Sequence, residues 1–432
     1  MRILLTNNAI AERTGSELYL CEVAEELQAR GHEPMCFSLN LGPLAERLRA
    51  LGILVTDDLR ALPEVPEVIH GQHFIETTLA AMTYRKVPVI SFCHGPEAWQ
   101  EMGCQLPNVV RWVAVDQACR RRLIEDEGID AEKLTMLLNH FDERKFAARS
   151  PLPAKPRRAL IMSNYLHPTH PAVAAISEAC VVRGIELTMA GANLGGVVEN
   201  MGDFLAQFDL VFAKARTAIE ALAVGCAVLP VDYFGAGRMV RSEIFDELRP
   251  FNFGYQSMTF PLDADYLGKE IDRYDAEDAA FVFKRIREEA TLEKTMQSLL
   301  ALYQEAAEQR SSLMEYDPSV AAADFMRFQL YLSKMPMGQL RQTPKVPLRL
   351  PKYPILPGEL ADCWRKLVIP HQKNTVSRAK AQQHIDRLKN KIATLKEQNI
   401  RLKTRLDNVR KTKPRLSIFQ RVRSLFRQTP SN

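Results

Sequence analysis

Short apolar runs alternate with longer stretches whose apolar residues recur every three to four positions, and this pattern sets the predicted elements. Ile3-Leu4-Leu5 reads as a buried strand that ends in a polar loop over 7–16. Leu18, Leu20, Val23, Ala24 and Leu27 follow at helical spacing, and Gly31 stands where a helix closes. Met35-Cys36-Phe37 opens the next strand, so the first forty residues form one βαβ unit and predict a parallel, doubly wound sheet. A helix is expected over 44–51, then strands at 53–55, 68–70, 87–92, 112–115 and 134–138. A polar loop, Gly71-Gln72-His73, follows the strand at 68–70. The strand at 87–92 runs into Cys93-His94-Gly95-Pro96, and a helix carrying Arg120, Arg121 and Arg122 follows the strand at 112–115.

The alternation stops at Ser150-Pro151-Leu152-Pro153-Ala154-Lys155-Pro156, a stiff Pro-rich linker, and then restarts. Strands are expected at 159–162 and 187–190 around a helix over 172–182, with polar ends at Ser163-Asn164-Tyr165 and Gly191-Ala192-Asn193. Residues 209–237 are the most informative stretch. Leu210-Val211-Phe212-Ala213 ends in two cations, Lys214 and Arg216; a helix runs from Thr217 to Ala223 and carries Glu220; Gly225 stops it. Ala227-Val228-Leu229-Pro230-Val231 then leads to a Gly-rich loop at Gly235 and Gly237. In an open parallel sheet ligands sit where strand C-termini meet helix N-termini. Two cations and a carboxylate there suggest a phosphorylated, hydroxyl-rich ligand. Helices are expected from Asp263 to about Gln309 and over 318–332. The organisation is therefore a first Rossmann-like domain over 1–150 and a second, with closing helices, over 157–334.

The pattern changes again beyond residue 334. Seven prolines between Pro336 and Pro370 make 335–375 an extended tether. Over 376–412 the period becomes heptad, with Ile385, Ile392, Asn399 and Leu406 at a and Leu388, Leu395, Leu402 and Val409 at d. Ile at a, Leu at d and one Asn at a is the pattern of a two-stranded parallel coiled coil. Lys389, Lys396, Lys403 and Arg410 at e, with Lys391 and Arg405 at g, would repel in a homodimer, so either a self-pairing that tolerates repulsion or an acidic partner strand is expected. Residues 413–432 place Leu416, Phe419, Val422, Leu425 and Phe426 on one helical face flanked by arginines. That basic amphipathic tail suits an anionic membrane surface or a partner protein, and a disordered basic tail is the alternative.

Composition changes this picture in one respect. The chain has 432 residues, 46% hydrophobic and 25% charged, as soluble proteins do, and a net charge of +5. Residues 376–432 hold 16 Lys/Arg against 3 Asp/Glu, so the tail is +13 and the remainder −8. Attraction to an anionic surface therefore belongs to the tail, and nothing upstream suggests nucleic-acid binding. The eight cysteines show neither Cys-x-x-Cys pairs nor zinc spacing and read as buried thiols in a reducing compartment. The N-terminus does not read as a signal peptide, and no apolar run approaches the ~18 residues of a membrane span. A cytoplasmic protein, peripheral at the inner membrane face through its tail, is expected. No metal is expected.

Two stretches carry a resemblance. Thr14-Gly15-Ser16-Glu17 and Arg30-Gly31-His32-Glu33 resemble the Gly-Gly-x-Glu loop and Arg-Gly-His-Glu-Val turn that open GT-B glycosyltransferases of the retaining, nucleotide-sugar-using, family 4-like kind. Residues 218–229, Ala-Ile-Glu-Ala-Leu-Ala-Val-Gly-Cys-Ala-Val-Leu, resemble the Leu-Glu-Ala-Met-Ala-x-Gly-x-Pro-Val-Ile signature of their second domain. Together the likeness spans residues 1 to about 330. It implies a nucleotide diphosphate sugar donor on the second domain, an acceptor (glycan, lipid or protein) on the first, no further cofactor, and a role in surface polysaccharide or glycoconjugate synthesis. Glu220 would accept hydrogen bonds from the donor ribose. The backbone amides of Thr217 and Ala218 would meet the diphosphate, and Lys214 and Arg216 would neutralise the leaving diphosphate. Gly15 and Ser16 would let the first loop approach the ligand. His94 stands where a His often lines the sugar site. Ser163, Asn164, Gly191 and Asn193 complete the expected donor site, and His167 and His170 stand at its mouth. The sequence departs from the family pattern in two places. The carboxylate eight positions before Glu220 is replaced by Phe212, and the Arg and Lys after the second domain's first strand are replaced by Ser163-Asn164-Tyr165-Leu166-His167. A catalytically silent scaffold or sugar-binding protein is the alternative, and a sugar-nucleotide epimerase of related fold a third reading.

Overall fold

The computed structural model describes residues 1–327, except Arg13, Val197 and a few positions after Asp317. The expected tether, coiled coil and basic tail, and most of the helix expected over 318–332, lie outside the described residues.

The first half is an all-parallel sheet. Its strands are β1 (Arg2–Thr6), β2 (Glu33–Phe37), β3 (Leu54–Thr56), β4 (Val68–Gln72), β5 (Val89–Cys93), β6 (Val109–Ala114) and β7 (Leu134–Met136), in the order β3-β2-β1-β4-β5-β6-β7. Its helices are α1 (Gly15–Ala29), α2 (Pro43–Ala50), α3 (Phe74–Thr83) and α4 (Gln117–Arg121). Alternation along β1 sends Ile3 and Leu5 to the core under α1 and Leu4 to the core on the opposite face. Thr14 caps α1 in a box with Glu17, and Gly31, at φ 78°, closes it in the left-handed conformation.

Two features differ from the sequence reading. β4 continues through Gly71 and Gln72, expected in a loop, because both pair with β5. Helix α3 has no sequence counterpart: its N-cap is His73, at φ 63° and without a side-chain capping bond, and Ile75, Thr77 and Thr78 blur the helical signal.

The second half holds β8 (Arg158–Met162), β9 (Glu186–Ala190), β10 (Leu210–Ala213), β11 (Ala227–Asp232) and β12 (Gly235–Ala236), in the order β12-β11-β10-β8-β9. Only β12 runs antiparallel. Helices α5 (Pro171–Val181), α6 (Met201–Leu205), α7 (Ala215–Val224), α8 (Phe245–Leu248), α9 (Ala264–Ile271) and α10 (Ala276–Glu289) surround it. Gly235 and Gly237 are not a free Gly-rich loop. A Cβ at Gly235 would lie 2.4 Å from the Met258 carbonyl oxygen, so the glycine allows close packing of an edge hairpin.

The last helix, α11 (Leu292–Glu308), leaves the second half and packs on the first. Met296, Leu299, Leu302 and Tyr303 join the core formed by Ile3, Leu5, Leu20 and Val23. The Tyr303 hydroxyl lies 2.6 Å from His70 Nδ1 on β4. The two sheets thus share one continuous packing through α11. The seven described cysteines are all free and buried.

Candidate active site

The C-terminal ends of both sheets supply the predicted site residues. At the end of β10 the chain turns sharply, with Ala215 held at φ 49°, into α7. The helix starts two residues earlier than expected, with Lys214 as N-cap. The Ala218 amide therefore donates to the Lys214 carbonyl at 3.4 Å and is spent inside the helix. The amides of Arg216 and Thr217 are the ones left facing out of the first turn.

Arg216 joins the two halves. Its Nε donates to Glu220 Oε1 at 2.7 Å and its Nη2 donates to Glu22 Oε1, on α1 of the first half, at 2.6 Å. His140 Nε2 lies 3.4 Å from the other Glu22 oxygen, and Lys145 Nζ lies 3.4 Å from Oε1. Burial would raise the Glu22 pKa, but Arg216 and then His140 overcome it and hold the carboxyl well below its ordinary range. Burial and the charge of Glu22 outweigh the pull of Arg216 on Glu220, whose pKa is raised. One guanidinium thus serves two buried carboxylates unequally. Lys214 is paired with buried Asp232 and lies over the rings of Tyr165, Tyr233 and Phe234, at 4.6, 5.8 and 5.6 Å from their centroids. Each cation expected at the diphosphate already has a protein carboxylate.

Phe212, in place of the expected carboxylate, is 1% exposed and packs among Leu166, Val173 and Leu229. It is a strand residue of the core, and a carboxylate there would be buried without a partner.

Ser163, Asn164, Gly191 and Asn193 are brought together by the adjacent ends of β8 and β9. Asn164 Oδ1 accepts the Ala192 amide at 2.9 Å, and Asn193 Nδ2 donates to the Asn164 carbonyl at 2.7 Å. Ser163 Oγ accepts the Tyr165 and Leu166 amides and lies 3.4 Å from Asp232. Gly191, at φ 123°, has no room for a Cβ, which would stand 2.1 Å from the Ser163 carbonyl oxygen. His170 caps α5 by accepting the Ala172 amide, so its Nδ1 is occupied.

On the first half, Gly15 opens α1 with nothing within 4 Å of its missing side chain, and Ser16 follows beside it. The neighbouring loop is organised by buried Glu17, which accepts amides from Ala11, Glu12 and Thr14. His94 stands at the end of β5. Its ring lies 4.8 Å from that of Tyr19 and 6.2 Å from that of Phe92, and its buried Nε2 has no hydrogen-bond partner. Burial lowers its pKa to about 4, so the imidazole is neutral near pH 7. The Tyr19 hydroxyl and His140 Nδ1 are likewise buried without hydrogen-bond partners. These groups form an aromatic, hydrogen-bonding wall beside Glu22.

Sequence reasoning missed Tyr19, Glu22, His140 and Asp232. A signal for the first two was present: Tyr19, Glu22 and Glu26 recur at helical spacing on a largely apolar face, where carboxylates need partners. His140 and Asp232 gave no such signal. The sequence also holds an acidic Asp-x-Asp triplet, Asp263-Ala264-Asp265, in which Asp263 caps α9 through the Tyr266 amide. A cavity of about 340 Å³ lined by Arg238, Glu247, Phe251 and Ser257 includes none of the predicted residues.

Residues 13–145 match the family model described as Glycosyltransferase Family 4. Among curated proteins none matches the chain significantly. Of solved structures, the Anabaena protein Alr3699/HepE in complex with UDP superposes with a TM-score of 0.51 at 15% identity, covering 71% of this chain and 100% of that one. The same protein with UDP-glucose gives 0.50 at 16% identity, covering 72% and 100%. A glycosyltransferase from Rickettsia africae gives 0.48 at 15% identity, covering 71% and 98%. Residues 13–145 thus resemble a glycosyltransferase family 4 domain, and the two sheets together have the GT-B fold.

Proposed function

We propose that this chain is a GT-B glycosyltransferase that moves a sugar from a nucleotide diphosphate sugar to a glycan, lipid or protein acceptor. The observation that carries this reading is the meeting of the two halves at Arg216, where α7 of the second half faces α1 of the family 4-like half. In the reaction the bond between the anomeric carbon and the diphosphate oxygen breaks, an acceptor hydroxyl oxygen takes the carbon, and the hydroxyl proton passes to the released diphosphate. Lys214 and Arg216, with the first-turn amides of α7, would stabilise the charge that develops on the diphosphate. Neutral His94 would hydrogen-bond a sugar hydroxyl through Nε2. HepE binds UDP and UDP-glucose, and a uridine nucleotide is the first donor to try. Retention of configuration and independence from metal are part of the proposal. So are a coiled-coil assembly through residues 376–412 and attachment of the basic tail to an anionic membrane surface, which would keep a cytoplasmic enzyme near membrane-bound acceptors.

A thermal-shift screen of the full chain against UDP, GDP, ADP and their sugars tests the reading. Stabilisation by one nucleotide family names the donor class. One observation favours the silent-scaffold reading: Glu22, Glu220 and Asp232 already neutralise both cations. That reading expects no shift with any nucleotide or nucleotide sugar.

A further inference from the structure

We infer that Glu101 and His73 are positioning residues for His94: a buried hydrogen-bonded chain through them ties three loops of the first sheet together and pins the His94 backbone. The inference rests on the proposed role of His94 at the sugar.

Glu101 ends a short turn, Trp99–Glu101, and reaches back to the end of β5. Its Oε2 accepts the His94 amide at 2.7 Å, and its Oε1 stands 3.2 Å from His73 Nε2. His73 Nδ1 accepts the Asn8 amide at 3.1 Å. Only the tautomer with the proton on Nε2 satisfies both His73 contacts, so the chain has one polarity: Asn8 donates to His73, His73 donates to Glu101, and His94 donates to Glu101. The loops after β1, β4 and β5 are thereby locked to one another. From the other side, Arg122 donates to the Gly95 and Ala98 carbonyls at 3.2 and 2.7 Å.

Three observations set this apart from an ordinary loop cap. His73 and Glu101 are both buried, at 6% and 7% exposure, where a carboxylate is costly to keep and needs hydrogen-bonded partners. His73 is held at φ 63°, a conformation that non-glycine residues rarely adopt and that concentrates at functional sites. The chain also leaves the His94 ring itself unbound: the backbone is fixed while Nε2 stays without a partner. That combination aims an imidazole and keeps its nitrogen available. The neighbouring carboxylates raise the His73 pKa despite burial, and Glu101 is held at about 2 against the same burial chiefly by His73.

The test uses the full chain and the variants Glu101→Ala, Glu101→Gln and His73→Asn. UDP affinity is measured by calorimetry, UDP release from UDP-glucose gives kcat and KM, and 15N NMR reads the histidine rings, with His94→Gln assigning the His94 signals. Glu101→Ala is expected to lower kcat on the order of 10²-fold, as a misplaced reacting group does, with UDP affinity within about twofold of wild type. Glu101→Gln should recover part of the loss, since its carbonyl still accepts the His94 amide. Its His94 ring resonances should shift, while those of Glu64→Gln, a surface control, should not. A kcat loss matched by lost UDP binding or lost folding, or no loss at all, overturns the inference. Should Glu101→Ala not fold, His73→Asn decides by the same split. A wild-type chain that neither binds nor turns over any nucleotide sugar defeats the glycosyltransferase reading; in that case unshifted His94 resonances in Glu101→Gln defeat the positioning role as well, and shifted ones sustain it.

Discussion

Arg216 is the residue on which the site turns, because it joins the carboxylates of Glu22 on α1 and Glu220 on α7. Arg216→Ala would leave Glu22 and Glu220 buried near one another without their guanidinium. The expected cost is about 3 kcal/mol of stability in urea unfolding, together with loss of the nucleotide-induced thermal shift. Arg216→Lys should recover little, since an ammonium cannot bridge two carboxylates as a planar fork does. A second prediction concerns pH. Burial raises the pKa of Glu76, on α3, to about 7. Its folded value is above its unfolded one, so its contribution is intact below about pH 4.3 and is lost as pH rises through 7. Glu76→Gln should therefore gain stability relative to wild type between pH 5 and pH 8, on the order of 2 kcal/mol. Unfolding curves at the two pH values check the sign, and a difference independent of pH would refute it. His94 acts oppositely: its depressed pKa, about 4, removes stability as pH falls from about 6.5 toward 4.

At the scale of elements, the strand–turn–helix of β10 and α7 was legible from its apolar runs, its cations and Gly225, which takes φ 103° at the helix end. The helix start was not legible, because Lys214 caps α7 without a side-chain bond and Ala215 adopts a conformation its side chain does not announce. Phe212 shows why a motif gap must be read in three dimensions. Phe212→Glu would restore the carboxylate of the family pattern in sequence, yet it would bury a charge in the core of β10. We expect no gain in nucleotide-sugar turnover and a chain that fails to fold, as judged by circular dichroism. The β8–β9 corner makes a complementary prediction. Gly191→Ala must move the Ser163 carbonyl, so it should weaken UDP affinity at least tenfold if this corner holds the nucleotide. Calorimetry on the folded variant decides.

At the scale of the molecule, the two repeated α/β patterns were visible on either side of a Pro-rich stretch, but their interdependence was not. The helix α11 follows the second sheet in sequence and completes the core of the first in space. A fragment of residues 1–150 would leave Ile3, Leu5, Leu20 and Val23 without Met296, Leu299 and Tyr303. Such a fragment is expected to bind a hydrophobic dye and to lack a cooperative thermal transition, whereas residues 1–330 should show one. A fragment 1–150 that melts cooperatively would show that the first half stands alone.

Local pattern determined most strands, most helices, the parallel pairing and the corner at 209–237, because side-chain period and terminal glycines report backbone geometry directly. Tertiary structure alone decided which charges are spent. Lys214 and Arg216 read as free cations in sequence because their partners, Asp232 and Glu22, lie on other elements, one of them in the other half of the molecule. The His73–Glu101–His94 chain was invisible for the same reason: hydrogen bonds between loops depend on where the strands end in space, and no spacing along the chain encodes that.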